Sequence, residues 1–199
     1  MERARALAGA GSRQLLGIAG APGGGKSTLA RGLVDALGPD TARLVGMDGF
    51  HLAQAELERL GRADRKGAAD TFDASGFVAL LRRLSAGEEE VVYAPEFRRE
   101  IEEPVACAVP VPREVPLVVT EGNYLLVPDG GWGGVRGLLD EAWFVVTDED
   151  RRREWLIARH VAFGKAPAYA REWVLRSDER NAELVASTRD HAELVVHLG

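Results

Sequence analysis

The chain has 199 residues, 46% of them apolar, which is enough for one domain with a full hydrophobic core. A net charge of −6 excludes a general nucleic-acid-binding surface, and no apolar run reaches the length of a membrane span. The single cysteine, Cys107, excludes an internal disulfide framework, fits a reducing compartment, and reads as a small buried apolar residue.

In chain order, residues 1–12 are rich in Ala and Arg but lack the apolar block of a secretory signal. A helical or frayed lead-in and a cytoplasmic setting are therefore expected. Residues 14–19 read as a short apolar strand, and residues 26–37 as a helix. Further strands are predicted over 42–47, 115–120, 142–146 and 194–198, each short, rich in Val and Leu, and bounded by Gly, Pro or charged residues. Between them, residues 75–84 carry a helical stripe of Phe77, Leu80, Leu81 and Leu84, with Asp73 or Ser75 as cap. Helices are also predicted over 150–163, with Trp155, Leu156 and Val161 on its apolar side, and over 168–186, with Trp173, Val174, Leu184 and Val185. This alternation predicts an α/β fold: a doubly wound, mostly parallel sheet flanked by helices, with ligand at the strand C-terminal ends. Two segments break the pattern. Residues 93–116 hold five prolines and form a long excursion or small hairpin, and residues 61–70 are a polar loop with Arg62, Arg65 and Lys66.

The strand over 14–19 runs into Gly20-Ala21-Pro22-Gly23-Gly24-Gly25-Lys26-Ser27, which completes the phosphate-binding pattern G-x-x-x-x-G-K-S/T. Lysine is scarce: Lys26, Lys66 and Lys165 are the only three, against 22 arginines. At this composition the pattern arises by chance in about 0.2% of shuffled sequences. Glycines let consecutive N–H groups point at phosphates, the helix N-terminus adds positive charge, Lys26 reaches the terminal phosphates, and the Ser27 hydroxyl ligates Mg²⁺. An ordinary glycine turn would need neither the Lys nor the Ser.

Asp48 follows the second strand, on the same rim as this loop. It either accepts the proton of an attacking hydroxyl and holds a metal-bound water, or serves as a turn aspartate before Gly49. Glu121 ends an apolar strand and fits a magnesium-binding acid better than an N-cap, a role that Glu fills poorly. Arg151, Arg152, Arg153 and Arg159 suit a lid that stabilises phosphoryl charge, although arginines in a first helical turn are commonly just solvated. His51 and His160 are candidate ligand contacts, His51 the better one because it neighbours Asp48.

Together these segments resemble the phosphoribulokinase, uridine kinase and pantothenate kinase superfamily of small-molecule kinases, from Gly17 to about Val196. Met47-Asp48-Gly49-Phe50-His51 resembles the Asp-Gly-Phe segment of bacterial pantothenate kinases, where the aspartate acts as catalytic base. Arg65-Lys66-Gly67 with Thr71-Phe72-Asp73, Thr120-Glu121-Gly122-Asn123-Tyr124, and the arginines from 153 to 159 resemble further segments of that superfamily. A nucleoside or nucleotide kinase-like branch, including fructose-transport-associated kinases, is closer still. Its motifs resemble Ala94-Pro95-Glu96-Phe97-Arg98-Arg99, Arg159-His160-Val161-Ala162-Phe163-Gly164 and Ser177-Asp178-Glu179-Arg180-Asn181-Ala182.

The resemblance implies a P-loop NTPase fold forming a single kinase domain over residues 1–199, with a substrate-side excursion at 93–116 and a small lid at 148–165. It implies ATP and Mg²⁺ as cofactors and a small-molecule hydroxyl acceptor such as a nucleoside, a pantothenate-like compound or a sugar. Nucleic acid and membrane are not expected partners, and the resemblance allows a homodimer. Gly20, Ala21, Pro22, Gly23, Gly24, Gly25, Lys26, Ser27 and Thr28 would bind ATP, with Ser27 and Glu121 on the metal. Lys26, Asp48, Arg153 and Arg159 would be catalytic, and His51, Tyr93, Phe97 and Arg99 would face the acceptor. Arg98 replaces the branch's usual Asp, which favours a more anionic acceptor unless its side chain faces solvent. A nucleoside monophosphate kinase, with Arg62, Arg65, Arg98 and Arg99 around a phosphate acceptor, is the alternative enzyme. A nucleotide-binding regulatory protein associated with sugar transport is the non-enzymatic alternative.

Overall fold

In the computed structural model, which describes residues 1–198, the short apolar runs form strands and the periodic segments form helices. The first half contains α1 (Glu2–Ala8), β1 (Gln14–Gly20), α2 (Lys26–Leu37), β2 (Ala42–Gly46), α3 (Gln54–Arg59) and α4 (Ala74–Ala86). Then come β3 (Val91–Arg98), β4 (Glu103–Pro112), β5 (Leu117–Gly122), β6 (Glu141–Thr147), α5 (Glu149–Ala162), α6 (Pro167–Trp173), α7 (Glu179–Ala186) and β7 (Leu194–Leu198).

Five strands make one parallel sheet in the order β2-β5-β1-β6-β7. Along β1, Leu15 and Ala19 pack into one core while Leu16 and Ile18 pack into the other. Helices α1 and α2 cover the second side through Ala4, Ala30 and Leu33, and α4 and α7 cover the first through Phe77, Leu81, Leu84 and Val185. Burial on both faces is why β1, β5 and β6 read as continuous apolar runs rather than alternating ones. Leu15, Leu16 and Ile18 are fully buried, each contributing about 1.5–3 kcal/mol. With β1 central, the turn that follows it leaves from the middle of the C-terminal edge, where open α/β sheets bind ligands.

Several local expectations need correction. The strand expected over 115–120 lies two residues later, so Glu121 and Gly122 belong to its end. The excursion at 93–116 is a two-stranded antiparallel ribbon with a bulge between Ala94 and Glu96; having only edges, it tolerates prolines at 95, 104, 110 and 112. Cys107, expected to be buried, is exposed on this open ribbon with φ of 56°. The helix expected over 168–186 is interrupted by a π-helical turn at Val174–Asp178, which separates α6 from α7. On α5 only Leu156 of the expected apolar side is buried; Trp155 and Val161 are exposed. The cap of α4 is Asp73, which accepts from the Gly76 N–H at 2.8 Å. Among the described residues, no helix is long and apolar enough to cross a membrane.

Candidate active site

The turn after β1 holds the residues expected to bind ATP in one contiguous loop. Gly23 and Gly25 have φ of 76° and 84°, conformations that a side chain would strain. Space is short as well: a Cβ on Gly23 would lie 2.4 Å from Leu156 and 3.0 Å from the Arg152 carbonyl oxygen, and one on Gly25 would press on the end of the Leu198 side chain at 2.7 Å. The buried Thr147 hydroxyl donates to the Gly24 carbonyl at 2.8 Å and ties the loop to the end of β6.

Lys26 opens α2 and turns back under the loop, donating to the Ala21 carbonyl at 3.0 Å and to Asn123 Oδ1 at 2.7 Å. Burial, only partly offset by Glu121 and Asp48, lowers its pKa to about 8. Ser27 donates from its hydroxyl to Glu121 Oε1 at 3.0 Å, so the two oxygen donors expected on the metal do converge. A hydroxyl beside a carboxylate fits Mg²⁺, a hard cation that takes its remaining ligands from phosphate and water. Burial and the nearby Asp48 charge raise the Glu121 pKa, against the pull of Lys26.

Asp48 lies in a 3-10 turn at Met47–Phe50 directly after β2. Met47 is fully buried and packs against Gly122, where a Cβ would meet it at 2.5 Å, so the ends of β2 and β5 are held together. Arg99 donates to Asp48 Oδ2 at 3.2 Å; among the described residues no donor reaches Oδ1. Burial alone would raise the Asp48 pKa, but His51, Arg99, Lys26 and Arg159 outweigh it and hold it below the ordinary range. Burial lowers the His51 pKa, against the pull of the Asp48 carboxylate and carbonyl. His51 sits between Phe72 and Phe97, at centroid distances of 4.0 and 4.6 Å, with Nδ1 2.8 Å from the Asp48 carbonyl.

Two cavities meet at this point. The larger, about 1130 Å³, is lined by the phosphate loop, Lys26, Ser27, Thr28, Glu121 and Trp155. The smaller, about 340 Å³, is lined by His51, Lys66, Asn123, Lys165, Trp173 and Asp178 among others. Asp48, Phe97, Arg99 and Arg159 line both. Of the expected acceptor contacts, His51, Phe97 and Arg99 come together here. Tyr93 does not: it is exposed on the outer face of β3 and lines neither cavity.

The lid arginines separate in the same way. Arg159 lines both cavities, and among the described residues no hydrogen bond or ion pair holds its guanidinium. Arg153, expected to close over the phosphates, is bound to Glu179 at 3.0 Å and lines neither cavity. Arg152 is 1% exposed and braces the site from behind, bonding Glu149 and Glu179 and donating to the Pro22 carbonyl at 3.2 Å. Arg62 and Arg65 pair with Asp70 outside both cavities, whereas Arg98, exposed beside Glu96, lines the larger cavity with Arg99. Of the arginines at 62, 65, 98 and 99 proposed for a basic acceptor cleft, only the last two share a cavity. Sequence reasoning assigned no role to Asn123, Lys66, Lys165 or Asp178. The scarcity of lysine was the signal that could have found two of them.

Comparison with known proteins gives a consistent set of relatives. Residues 15–197 match the family model described as Phosphoribulokinase / Uridine kinase family. A candidate uridine kinase of Schizosaccharomyces pombe is 32% identical over 85% of this chain and 75% of its own. A pantothenate kinase of Limosilactobacillus reuteri is 33% identical over 73% of this chain, which spans only 48% of that longer protein. The crystal structure of a candidate fructose transport system kinase from Silicibacter sp. TM1040 superimposes with a TM-score of 0.84 at 35% identity, over 94% of this chain and 90% of its own.

Proposed function

The chain belongs to the phosphoribulokinase and uridine kinase family, with a P-loop kinase fold, and from that premise we propose that it transfers the terminal phosphoryl group of ATP to an alcohol of a small metabolite. The observation that carries this reading is Asp48, at the junction of the phosphate-loop cavity with a second cavity of ligand size.

In this reading the loop at 20–28 takes the ATP phosphates and Lys26 contacts the terminal ones. Ser27 and Glu121 would hold Mg²⁺, which supplies charge neutralisation on the phosphate oxygens. The acceptor lies in the second cavity with its hydroxyl at Asp48. As the acceptor oxygen bonds to the γ-phosphorus, the bond from that phosphorus to the bridging oxygen breaks, ADP leaves, and the hydroxyl proton passes to Asp48. A carboxylate held below its ordinary pKa is ionised at pH 7 but weakly basic. Its main work is therefore to orient the hydroxyl and take the proton late, as suits a loose phosphoryl-transfer transition state. Arg159, which lines both cavities and has no ion pair among the described residues, is placed to stabilise charge on the transferring group. A cytoplasmic setting belongs to the same proposal, on the ground of the single cysteine.

The test is ADP formation with Mg²⁺ against nucleosides, sugars, hydroxy acids and nucleoside monophosphates, with the phosphorylated product identified. Stimulation by one alcohol supports the reading. Stimulation by a nucleoside monophosphate alone would replace it with a nucleotide kinase, and ATP binding without any product would leave a nucleotide-binding regulator.

A further inference from the structure

The chain has three lysines against 22 arginines, and all three line the two cavities: Lys26 the larger, Lys66 and Lys165 the smaller. Among the described residues, neither Lys66 nor Lys165 has a carboxylate within ion-pair distance. Lys66 is instead steered by neutral acceptors, donating to the Glu102 carbonyl at 2.7 Å and lying 3.4 Å from Gln54 Oε1. Lys165 donates to His160 Nδ1 at 3.1 Å, and His160 Nε2 in turn donates to Asp178 at 3.0 Å. That chain fixes the imidazole tautomer and uses Asp178 to orient the ammonium without neutralising it by direct contact. The π-helical turn places Asp178 for this role.

Two of the aromatic side chains lining this cavity, Phe97 and Trp173, are already covered by cations. Lys66 and Arg99 lie over Phe97, at 5.7 and 5.5 Å from its centroid, and Lys165 and Arg176 lie over Trp173, at 5.1 and 5.6 Å. A flat base would have to displace these cations to stack on Phe97 or Trp173. Compact ammonium groups with three donors each suit a carboxylate or phosphate instead.

Building on the kinase reading above, we infer that the acceptor is an alcohol carrying an anionic group, a carboxylate or a phosphate, which Lys66 and Lys165 bind while its hydroxyl sits at Asp48. The two lysines line only the smaller cavity, so the anion is held apart from the ATP phosphates while Asp48, at the junction, meets the hydroxyl. Arg99, engaged by Asp48, and Arg159, turned also toward the phosphate loop, are left to the transfer itself.

The inference is tested by binding, which does not require turnover. Tryptophan fluorescence, to which Trp173 contributes from the cavity wall, is followed with Mg²⁺ and a non-hydrolysable ATP analogue present. The probes are two matched sets: glycerol, glycerate and glycerol 3-phosphate; ribose, ribonate and ribose 5-phosphate. At least one anionic probe is expected to bind at least tenfold more tightly than its neutral parent. Carboxylate or phosphate preference then shows in which member wins. Lys66→Met and Lys165→Met should each weaken that binding about tenfold to a hundredfold, and the Lys→Arg variants should weaken it less. Neutral parents binding as tightly as the anions, no probe binding, or lysine variants binding as wild type would each overturn the inference. Anion-selective binding with no turnover of any alcohol would instead sink the kinase reading and keep the anion site. Equal turnover of neutral and anionic alcohols would do the reverse.

Discussion

Replacing Lys26 by methionine tests whether the phosphate loop holds its lysine under the electrostatic stress that the structure implies. Burial lowers the pKa from 10.5 to about 8. At about 1.36 kcal/mol per unit, keeping the ammonium charged in the folded protein costs roughly 3 kcal/mol below pH 8. Methionine removes that cost but leaves the Ala21 carbonyl and Asn123 Oδ1 without their donor, a penalty of about 1–3 kcal/mol. Stability at a single pH is therefore a poor readout, whereas its pH dependence is a direct one. Between pH 8 and 10.5 the unfolded chain keeps the Lys26 proton and the folded chain does not, so wild type gains stability as pH rises. Relative to Lys26→Met the gain is about 1.4 kcal/mol per pH unit, or about 2 kcal/mol between pH 8 and 9.5, and it is absent below the folded-state pKa. Urea unfolding of the nucleotide-free protein and the variant at pH 7, 8, 9 and 9.5 measures it. Added Mg·ATP should flatten the difference, because phosphates facing the ammonium raise its pKa again. Parallel stability curves for the two proteins across this range would refute the reasoning.

Arg159→Ala should lower turnover about a hundredfold or more, whereas Arg153→Ala should stay within about threefold, as measured by steady-state ADP release. Comparable losses in both would mean that Arg153 leaves Glu179 during the reaction. Gly49→Ala should force the Asp48 turn away from the ribbon, since its Cβ would lie 2.5 Å from the Pro95 carbonyl oxygen. The overpacking cost is about 1–3 kcal/mol, and acceptor kcat/KM should fall about tenfold to a hundredfold with ATP affinity nearly unchanged; unaltered melting temperature and kinetics would show that the ribbon yields. Arg152→Met should destabilise the protein by about 2–3 kcal/mol in urea unfolding, because Glu179 and the Pro22 carbonyl lose a buried partner while Glu149 remains in solvent. A change under about 0.5 kcal/mol would contradict the bracing role.

What could be read in the sequence was whatever local chemistry determines. Strands β1 and β6 declare themselves because burial on both faces leaves no polar alternation; β2 and β7, half-buried at the sheet's edges, showed only as short runs rich in Val and Leu. The loop at 20–27 declares itself because only that order of residues serves a phosphate. The helix beginning at Lys26 was legible for the same reason. The π-helical turn at Val174–Asp178 was not, since its single register shift lies within a continuous helical pattern. Asp48 and Glu121 could be placed on one rim because each ends a strand. The acceptor cavity could not be drawn, because its walls come from the segment at 51–72, the ribbon of β3 and β4, and helices α5 and α6 with the turn beyond them. Tyr93 and Phe97 show the limit clearly. They lie four residues apart on β3, but the bulge between Ala94 and Glu96 shifts the register, leaving Phe97 at the junction and Tyr93 in solvent. Arg153 and Arg159 likewise share a helix, and only tertiary contact with Glu179 tells them apart.

The most direct measurement is acceptor-stimulated ADP formation by Asp48→Asn beside wild type, with ATP affinity measured in both. Asparagine keeps the size and a hydrogen bond but cannot take the proton. Turnover should fall by about 10²- to 10⁴-fold, with ATP affinity changed by no more than a few-fold. Wild-type turnover in Asp48→Asn would contradict the central claim and make Asp48 a turn residue beside a reaction that proceeds without it.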